Sequence, residues 1–205
     1  MHKYIKRDPG YIDIFNRIAP LYDKKYGKDC LTAQAKVFNW ATHSYSSYPT
    51  KILDIGCGTG TLLQQFSTFW PESKIIGLDP AQAMIEQARK KLPQAKFITQ
   101  KAETIPLASN SIDLAICTTS FGHWHSQISV LNEINRVLCP NGIFILAEHR
   151  PPNNFVKLFL YIIQRLPNLK TLEEIKTLLT ESGLTITKEE ITKDNFLVLK
   201  SKKQK

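Results

Sequence analysis

Residues 51–60 read K-I-L-D-I-G-C-G-T-G. Ile52, Leu53 and Ile55 make a short apolar strand that carries one acid, Asp54. Three glycines follow at alternate positions, Gly56, Gly58 and Gly60, and then the apolar, helix-prone run through Leu62, Leu63 and Phe66. A strand that turns through glycines into a helix is how α/β proteins bring backbone N–H groups close to a nucleotide-like ligand. The rest of the chain reads as the completion of that site.

The spacing of the glycines separates two classes of ligand. The dinucleotide fingerprint is G-x-G-x-x-G, with its third glycine three residues after the second. Here the third comes after two, and position 61 is Thr. No Lys-Ser or Lys-Thr pair follows, as a P-loop would require. An acid two residues before the first glycine is costly in a buried strand unless it is hydrogen-bonded, so Asp54 is expected to orient the loop or a ligand amine.

Downstream the pattern alternates. Strands are expected at Lys51–Ile55, Lys74–Leu78, Lys96–Thr99, Ile112–Cys117 and Gly142–Ala147, with helices at Gly60–Phe69, Ala81–Leu92 and Ser126–Leu138 between them. Near-continuous apolar strands are those of a parallel sheet covered on both faces, and alternating elements make it doubly wound. After Arg150 comes a proline break and the apolar run F-V-K-L-F-L-Y-I-I. The segment Pro151–Leu166 reads either as a lid over the site or as a helix packed on the sheet. Thr171 and Glu174 form a capping box, Gly183 ends that helix, and Leu184–Thr187 with Phe196–Leu199 make an antiparallel hairpin.

Upstream, Tyr11, Ile14, Phe15, Ile18 and Ala19 fall at helical spacing, Pro20 breaks the run, and a second helix is expected over Thr32–His43. The fold class is thus α/β, a Rossmann-like doubly wound sheet of seven mostly parallel strands with an antiparallel C-terminal hairpin and N-terminal helices. We read residues 1–205 as one domain. Residues 1–50 form its helical preface, 51–149 its binding core, and 150–205 a possible lid helix followed by a helix and strands.

The composition, 42% hydrophobic and 22% charged, is that of a soluble globular protein. No apolar run approaches the roughly 20 residues of a membrane span, and residues 1–10 lack a secretion signal's apolar centre, which points to the cytoplasm. Cys30, Cys57, Cys117 and Cys139 show no metal-ligand spacing, so neither a metal nor a disulfide framework is expected. The net charge of +9 permits a nucleic-acid partner without favouring one. Part of it sits in the C-terminal run from Lys200, expected to be a solvated tail.

The stretch Asp54-Ile55-Gly56-Cys57-Gly58-Thr59-Gly60 resembles the first motif of the class I S-adenosylmethionine-dependent methyltransferases, and the resemblance continues in family order. Ile76 to Asp79 resembles the second strand, ending in the acid that holds the ribose hydroxyls. Pro80 to Met84 resembles the loop and helix after it, and Ala102 to Leu107 the adenine-side loop. Ser111 to Ala115 resembles the fourth strand, and Arg136 to Gly142 the turn before the fifth. About half the chain is covered. Two positions depart from the pattern: Lys101 stands where an acid often meets the adenine amino group, and Asn141 replaces a glycine, which Asn tolerates in left-handed backbone.

The resemblance implies S-adenosylmethionine as cofactor and S-adenosylhomocysteine as product. It implies binding by Asp54, Gly56, Cys57, Gly58, Thr59, Gly60, Asp79, Pro80, Met84, Ala102, Glu103 and Thr118. Asp79 also suits an N-terminal helix cap before Pro80, and Met84 also suits a core position. Methyl transfer needs chiefly alignment, with a general base where the acceptor arrives protonated. His123, whose His-Trp pair resembles one found in small-molecule members, is the candidate base. Tyr22, in a segment that resembles the start of quinone- and biotin-pathway enzymes, is the candidate to close over the cofactor. Thr119, Ser120, His125 and His149 lie nearby, and a structural role suits His125 best.

The motif of exocyclic base-amine methylases is absent after strand four, where residues 117–121 read C-T-T-S-F, and Cys139 sits in a turn rather than as a nucleophile. The resulting reading is methyl transfer to a small-molecule or carrier-bound acyl acceptor. RNA methylation and a non-catalytic cofactor-binding role are the alternatives.

Overall fold

Strands β1 (Lys51–Ile55), β2 (Lys74–Asp79), β3 (Lys96–Thr99), β4 (Ile112–Thr118), β5 (Leu138–His149), β6 (Leu184–Ile191) and β7 (Phe196–Lys203) form one sheet in the order β3-β2-β1-β4-β5-β7-β6. The first five are parallel, and β7 runs antiparallel to both β5 and β6. This computed structural model describes residues 10–151 and 168–204. The helices are α1 (Gly10–Ile18), α2 (Tyr22–Thr42), α3 (Thr61–Phe69), α4 (Gln82–Lys91), α5 (Gln127–Val137) and α6 (Leu172–Glu181). The segment expected as a lid lies, apart from Pro151, outside the described residues. No helix among the described residues is long and apolar enough to cross a membrane.

Successive strand side chains point to opposite faces, and the apolar strands divide between two cores accordingly. Leu53, Ile55, Ala115, Cys117, Phe144 and Leu146 pack under α5 and α6. Ile52, Leu114, Ile116, Ile143 and Ile145 pack under α2 and α3, against Val37, Trp40, Leu63 and Phe66. Burial on both faces explains why these strands read as unbroken apolar runs. The chain leaves β1 outward to β2 and β3, then returns to β4 on the other side of β1. That reversal opens a crevice beyond the carboxyl ends of the central strands.

Among the described residues the predicted elements appear, with several boundaries moved. The second preface helix begins at Tyr22 instead of Thr32. Pro20 lies in a short 3-10 turn, Ala19–Leu21, that leads directly into α2. The first half of α2 shows no sheet-facing stripe because it roofs the crevice rather than packing on the sheet. Strand β5 begins at Leu138, with an irregular register where Asn141 takes a φ of 65°. The lysines from Lys200 to Lys203 belong to β7, which lies between β5 and β6, and Ser201 among them is buried. Their long stems let the ammonium groups reach out of the sheet: Lys200 donates to Ser44 Oγ (3.2 Å) and Lys203 to the Leu138 carbonyl (2.9 Å). The predicted cap is present, with Thr171 and Glu174 bonding reciprocally at the start of α6.

Gly77, in the middle of β2, sets how closely the neighbouring layers approach. A Cβ there would lie 2.6 Å from the Phe97 ring and 2.8 Å from Cys57 Sγ. Overpacking of this kind costs about 1–3 kcal/mol. Gly77→Ala is therefore expected to lower the unfolding free energy by that amount, read as a lower urea midpoint with an unchanged m-value.

Candidate active site

Strand β1 ends at Ile55 and the chain passes through the glycine loop into α3. Gly56 and Cys57 donate to the Leu78 carbonyl at 2.7 and 3.1 Å, which ties the loop to the end of β2. Gly56 has a φ of 76°, and a side chain there would collide with Ser120. Ser120 is itself fixed by donating to the Ile55 carbonyl at 2.8 Å. Gly60, with a φ of 77°, has a different reason: its would-be Cβ lies 3.0 Å from Ala88 Cβ, so its bareness lets α3 and α4 approach.

The loop forms one wall of a cavity of about 670 Å³ at the carboxyl ends of β1, β2 and β4, a volume typical of small-molecule and cofactor sites. Gly56, Cys57, Gly58, Thr59, Asp79, Pro80, Met84, Ala102, Glu103 and Thr118 line it, as do Tyr22 and His123. Asp54 and Gly60 stand behind the loop and do not line it. The roof comes from the preface, with Tyr11 and Phe15 of α1 and Tyr22, Asp23, Cys30 and Gln34 of α2. Among the described residues no group of three His, Cys, Asp or Glu side chains is placed to hold a metal.

The floor is acidic and lacks a paired cation. Asp79 accepts from Gly58 N (2.9 Å) and from Ala81 N (2.8 Å), so one carboxylate braces both the loop and the start of α4. Burial raises its pKa, against the pull of those two bonds. Asp54 is buried, and its Oδ1 has no hydrogen-bond partner. Burial, then the charge of Asp79, pushes its carboxyl up to about 8. Two carboxyl groups held this way favour any ligand that brings a positive charge, since an opposite charge nearby stabilises the ionised form.

His123 sits in the roof's aromatic cluster, its ring 4.8 Å from Tyr11 and 5.5 Å from Phe15. Its Nδ1 is buried without a partner. Burial, then the nearby His149, pushes its pKa down to about 4, so the imidazole is neutral at pH 7 and can take up a proton. The Tyr22 phenol is displaced the other way, chiefly by burial and then by Cys30 and the acids Asp79 and Asp23. It stays protonated and offers a neutral hydroxyl and an apolar face. Glu103 accepts from His125 N (2.7 Å) and Ser126 N (3.2 Å) and so holds the approach to α5. Thr119 has a φ of 55°, a strained conformation for a β-branched residue, of the kind that clusters where a loop is held for function.

Two groups of residues escaped the sequence reading. Glu148, buried at the end of β5, accepts from Gly122 N (3.0 Å) and His149 N (2.8 Å) and so anchors the 3-10 turn Phe121–His123. A lone acid closing an apolar strand was its available signal. Asp23 accepts from Thr59 Oγ1 (2.5 Å) and pairs with Lys91 of α4 (2.5 Å), which also donates to Thr61 Oγ1 (2.8 Å). Burial raises the Asp23 carboxyl, but the bonds from Lys91 and Thr59 and the Lys91 charge outweigh it and hold the group below its ordinary value. These contacts fasten the roof to the glycine loop across three separate segments, which no local pattern announces.

Residues 53–146 match the family described as a methyltransferase domain. The ubiquinone/menaquinone biosynthesis C-methyltransferase of Campylobacter jejuni is 33% identical over 147 residues, 67% of this chain and 62% of that protein. The malonyl-acyl carrier protein O-methyltransferase of Legionella pneumophila is 33% identical over 107 residues, 50% of this chain and 37% of that one. Among solved structures, a SAM-dependent methyltransferase from Thermotoga maritima superposes with a TM-score of 0.71 at 19% identity, covering 94% of this chain and 99% of that one. That last likeness is one of fold. The matches span less than two thirds of the length of these curated relatives.

The buried acids set a pH dependence. With Asp54 at about 8 and Glu148 at about 7, the folded protein holds both protons more tightly than the unfolded chain does. The stability this contributes is complete below the ordinary carboxyl pKa of about 4 and is lost as pH rises through 7 and 8. His123 acts oppositely: its contribution is present above about 6.5 and lost as pH falls toward 4. Thermal unfolding of the ligand-free protein between pH 5 and 8 is expected to show a shallower fall in midpoint for Asp54→Asn than for wild type. Parallel curves would refute the buried, uncompensated carboxyl.

Proposed function

We propose that this chain, which belongs to the class I S-adenosylmethionine-dependent methyltransferases, moves the methyl group of S-adenosylmethionine to a small-molecule or carrier-bound acyl acceptor. One observation carries the reading. A glycine loop and the buried Asp79 floor a cavity of about 670 Å³ under an aromatic roof, and a second buried, cation-free carboxyl group, Asp54, stands behind the loop. S-adenosylmethionine fits such a donor set, because it brings a sulfonium and an ammonium to an acidic floor and two ribose hydroxyls to a carboxylate with lone pairs to spare. Treating residues 1–205 as one domain is supported by β6 and β7 joining the same sheet as β1–β5.

When bound, the cofactor supplies an electrophilic methyl group. This chain's residues do the rest. Gly56, Cys57, Gly58 and Thr59, backed by Asp54 and Gly60, would hold the methionine end. Asp79 and Pro80 would hold the ribose, with Met84, Ala102 and Glu103 around the adenine and Thr118 at the mouth of β4. Tyr22 and the α1 aromatics exclude water, which strengthens every electrostatic contact inside. His123 Nδ1, neutral and unpartnered, would take the proton of an acceptor that arrives protonated. The described walls carry one lysine, Lys101, and no arginine, against the carboxylates of Asp23, Asp79 and Glu103. That balance favours a small acceptor over RNA.

Calorimetry with S-adenosylmethionine and with NAD tests the cofactor. Saturable binding of the first and none of the second is expected, and Asp79→Asn should weaken binding about tenfold or more, the value of a charge-assisted hydrogen bond. NAD binding, or an affinity indifferent to Asp79, overturns the assignment. A metabolite and acyl-carrier screen for methyl acceptance, run beside an RNA sample, tests the acceptor class. With the acceptor in hand, His123→Gln should lower kcat about a hundredfold while leaving cofactor affinity unchanged.

A further inference from the structure

A second cavity, of about 750 Å³, lies at the edge of the sheet opposite the glycine loop. The first residues of β1, β2, β3 and β4, which are Lys51, Lys74, Lys96 and Ile112, all line it, so it opens under the amino ends of the parallel strands. The five residues of β1 separate it from the glycine loop, about 16 Å at the rise of a parallel strand. No residue that the methyl-transfer reading uses lines it.

Three of those four strands begin with lysine, and the register puts the three side chains on one face. Lys51 pairs with Lys74, and Lys96 pairs with Ile76, two residues along β2 from Lys74. Register partners on neighbouring parallel strands point the same way, as do residues two apart on one strand. The packing agrees: Leu53, Ile76 and Ile98, each two residues beyond one of the lysines, pack in or against the same core. The Cα atoms of Lys51 and Lys74 are thus about 5 Å apart, and those of Lys74 and Lys96 about 8 Å.

Like charges directly opposite one another on a sheet are destabilising. None of the ion pairs among the described residues includes these lysines. Glu72, exposed in the turn before β2, is the one acid in the lining. Asp113, outside the lining, accepts the Lys51 backbone N–H at 2.8 Å. The hydroxyls of Ser73 and Ser111 donate to the carbonyls of Pro49 and Ala108, each at 2.6 Å, and Ser67 Oγ accepts from Gln94 Nε2 at 3.4 Å. The groove therefore offers three ammonium groups against one carboxylate. Its far wall is held in place by Arg136, which donates to the carbonyls of Leu107 (2.9 Å) and Ile105 (2.8 Å) and so fixes the loop leading to Ser111.

We propose that this groove is a second ligand site, and that it takes a small polyphosphate whose phosphate groups bridge Lys51, Lys74 and Lys96. Ammonium groups spread over three strands favour an anion charged at more than one centre, which a diphosphate or triphosphate is and a single carboxylate is not. The volume is that of a small-molecule site. The site stands apart from that of the methyl donor and does not depend on the methyl-transfer reading.

Calorimetry at low ionic strength with sodium pyrophosphate tests the site. Saturable one-to-one binding is expected, about tenfold tighter than that of inorganic phosphate and weakening as salt is raised. Lys74→Gln and Lys96→Gln, both at exposed positions, should each weaken it about tenfold, the value of a charge-assisted hydrogen bond. Lys176→Gln removes the same charge from α6, where Lys176 pairs with Glu173 and Glu189, and should leave pyrophosphate affinity unchanged. Absence of saturable binding overturns the proposal, as does equal affinity for phosphate and pyrophosphate. An affinity that Lys74→Gln and Lys96→Gln move no more than Lys176→Gln does also overturns it. A short oligouridylate that binds where pyrophosphate does not would assign the lysine row to nucleic acid instead. Pyrophosphate displaced by S-adenosylhomocysteine would lie in the other cavity, and that too defeats the proposal.

Discussion

Two carboxyl groups on neighbouring strands, Asp54 and Asp79, sit where water scarcely reaches. This burial is the constraint to which the rest of the site answers. Charge in such a place is costly unless it is paired or heavily hydrogen-bonded. Asp79 meets part of the cost by taking the N–H groups of Gly58 and Ala81. Through them it determines where the glycine loop lies and where α4 begins. Asp54 lacks such help at Oδ1 and holds its proton to about pH 8 instead. The fold thus carries an unspent preference for a cation beside the cavity that Asp79 lines, and a sulfonium cofactor is a ligand that would use it.

The roof is held to that floor by contacts of a different kind. Asp23 at the start of α2 meets Thr59 of the loop and Lys91 at the end of α4. Exposed ion pairs are worth little singly, but this one is half-covered and shared by two threonine hydroxyls, so its geometry is well determined. Glu148 does the corresponding work on the far side, where it fixes the turn that presents His123. A neutral histidine, a protonated tyrosine and an unpaired amide then face an aromatic slot. The site therefore sets a buried acidic half against an aromatic roof.

Much of the core was legible because its signals are local. The glycine spacing after β1, the acid that ends β2 and the unbroken apolar strands follow from backbone geometry and period-two burial, which act over a few residues. The elements that went unread depend on partners far along the chain. The first half of α2 has no amphipathic stripe because its inner face meets a cavity. The lysines from Lys200 read as a tail, yet they lie in a strand because β5 and β6 offer hydrogen bonds on both sides. Glu148 and Asp23 take their partners Gly122, Thr59 and Lys91 from segments that only folding brings to them.

By itself, then, the sequence determined the α/β class and the order of the motif-bearing strands, because each depends on residues adjacent in the chain and on side chains that only one local conformation accommodates. The tertiary structure alone decided which buried polar atoms lack a partner. Gln34 and His123 lie 89 positions apart, and neither is notable until the roof closes over the sheet and deprives both of water. Desolvation is a property of the assembled molecule, and it is desolvation that sets an ordinary amide and an ordinary imidazole apart from their exposed counterparts.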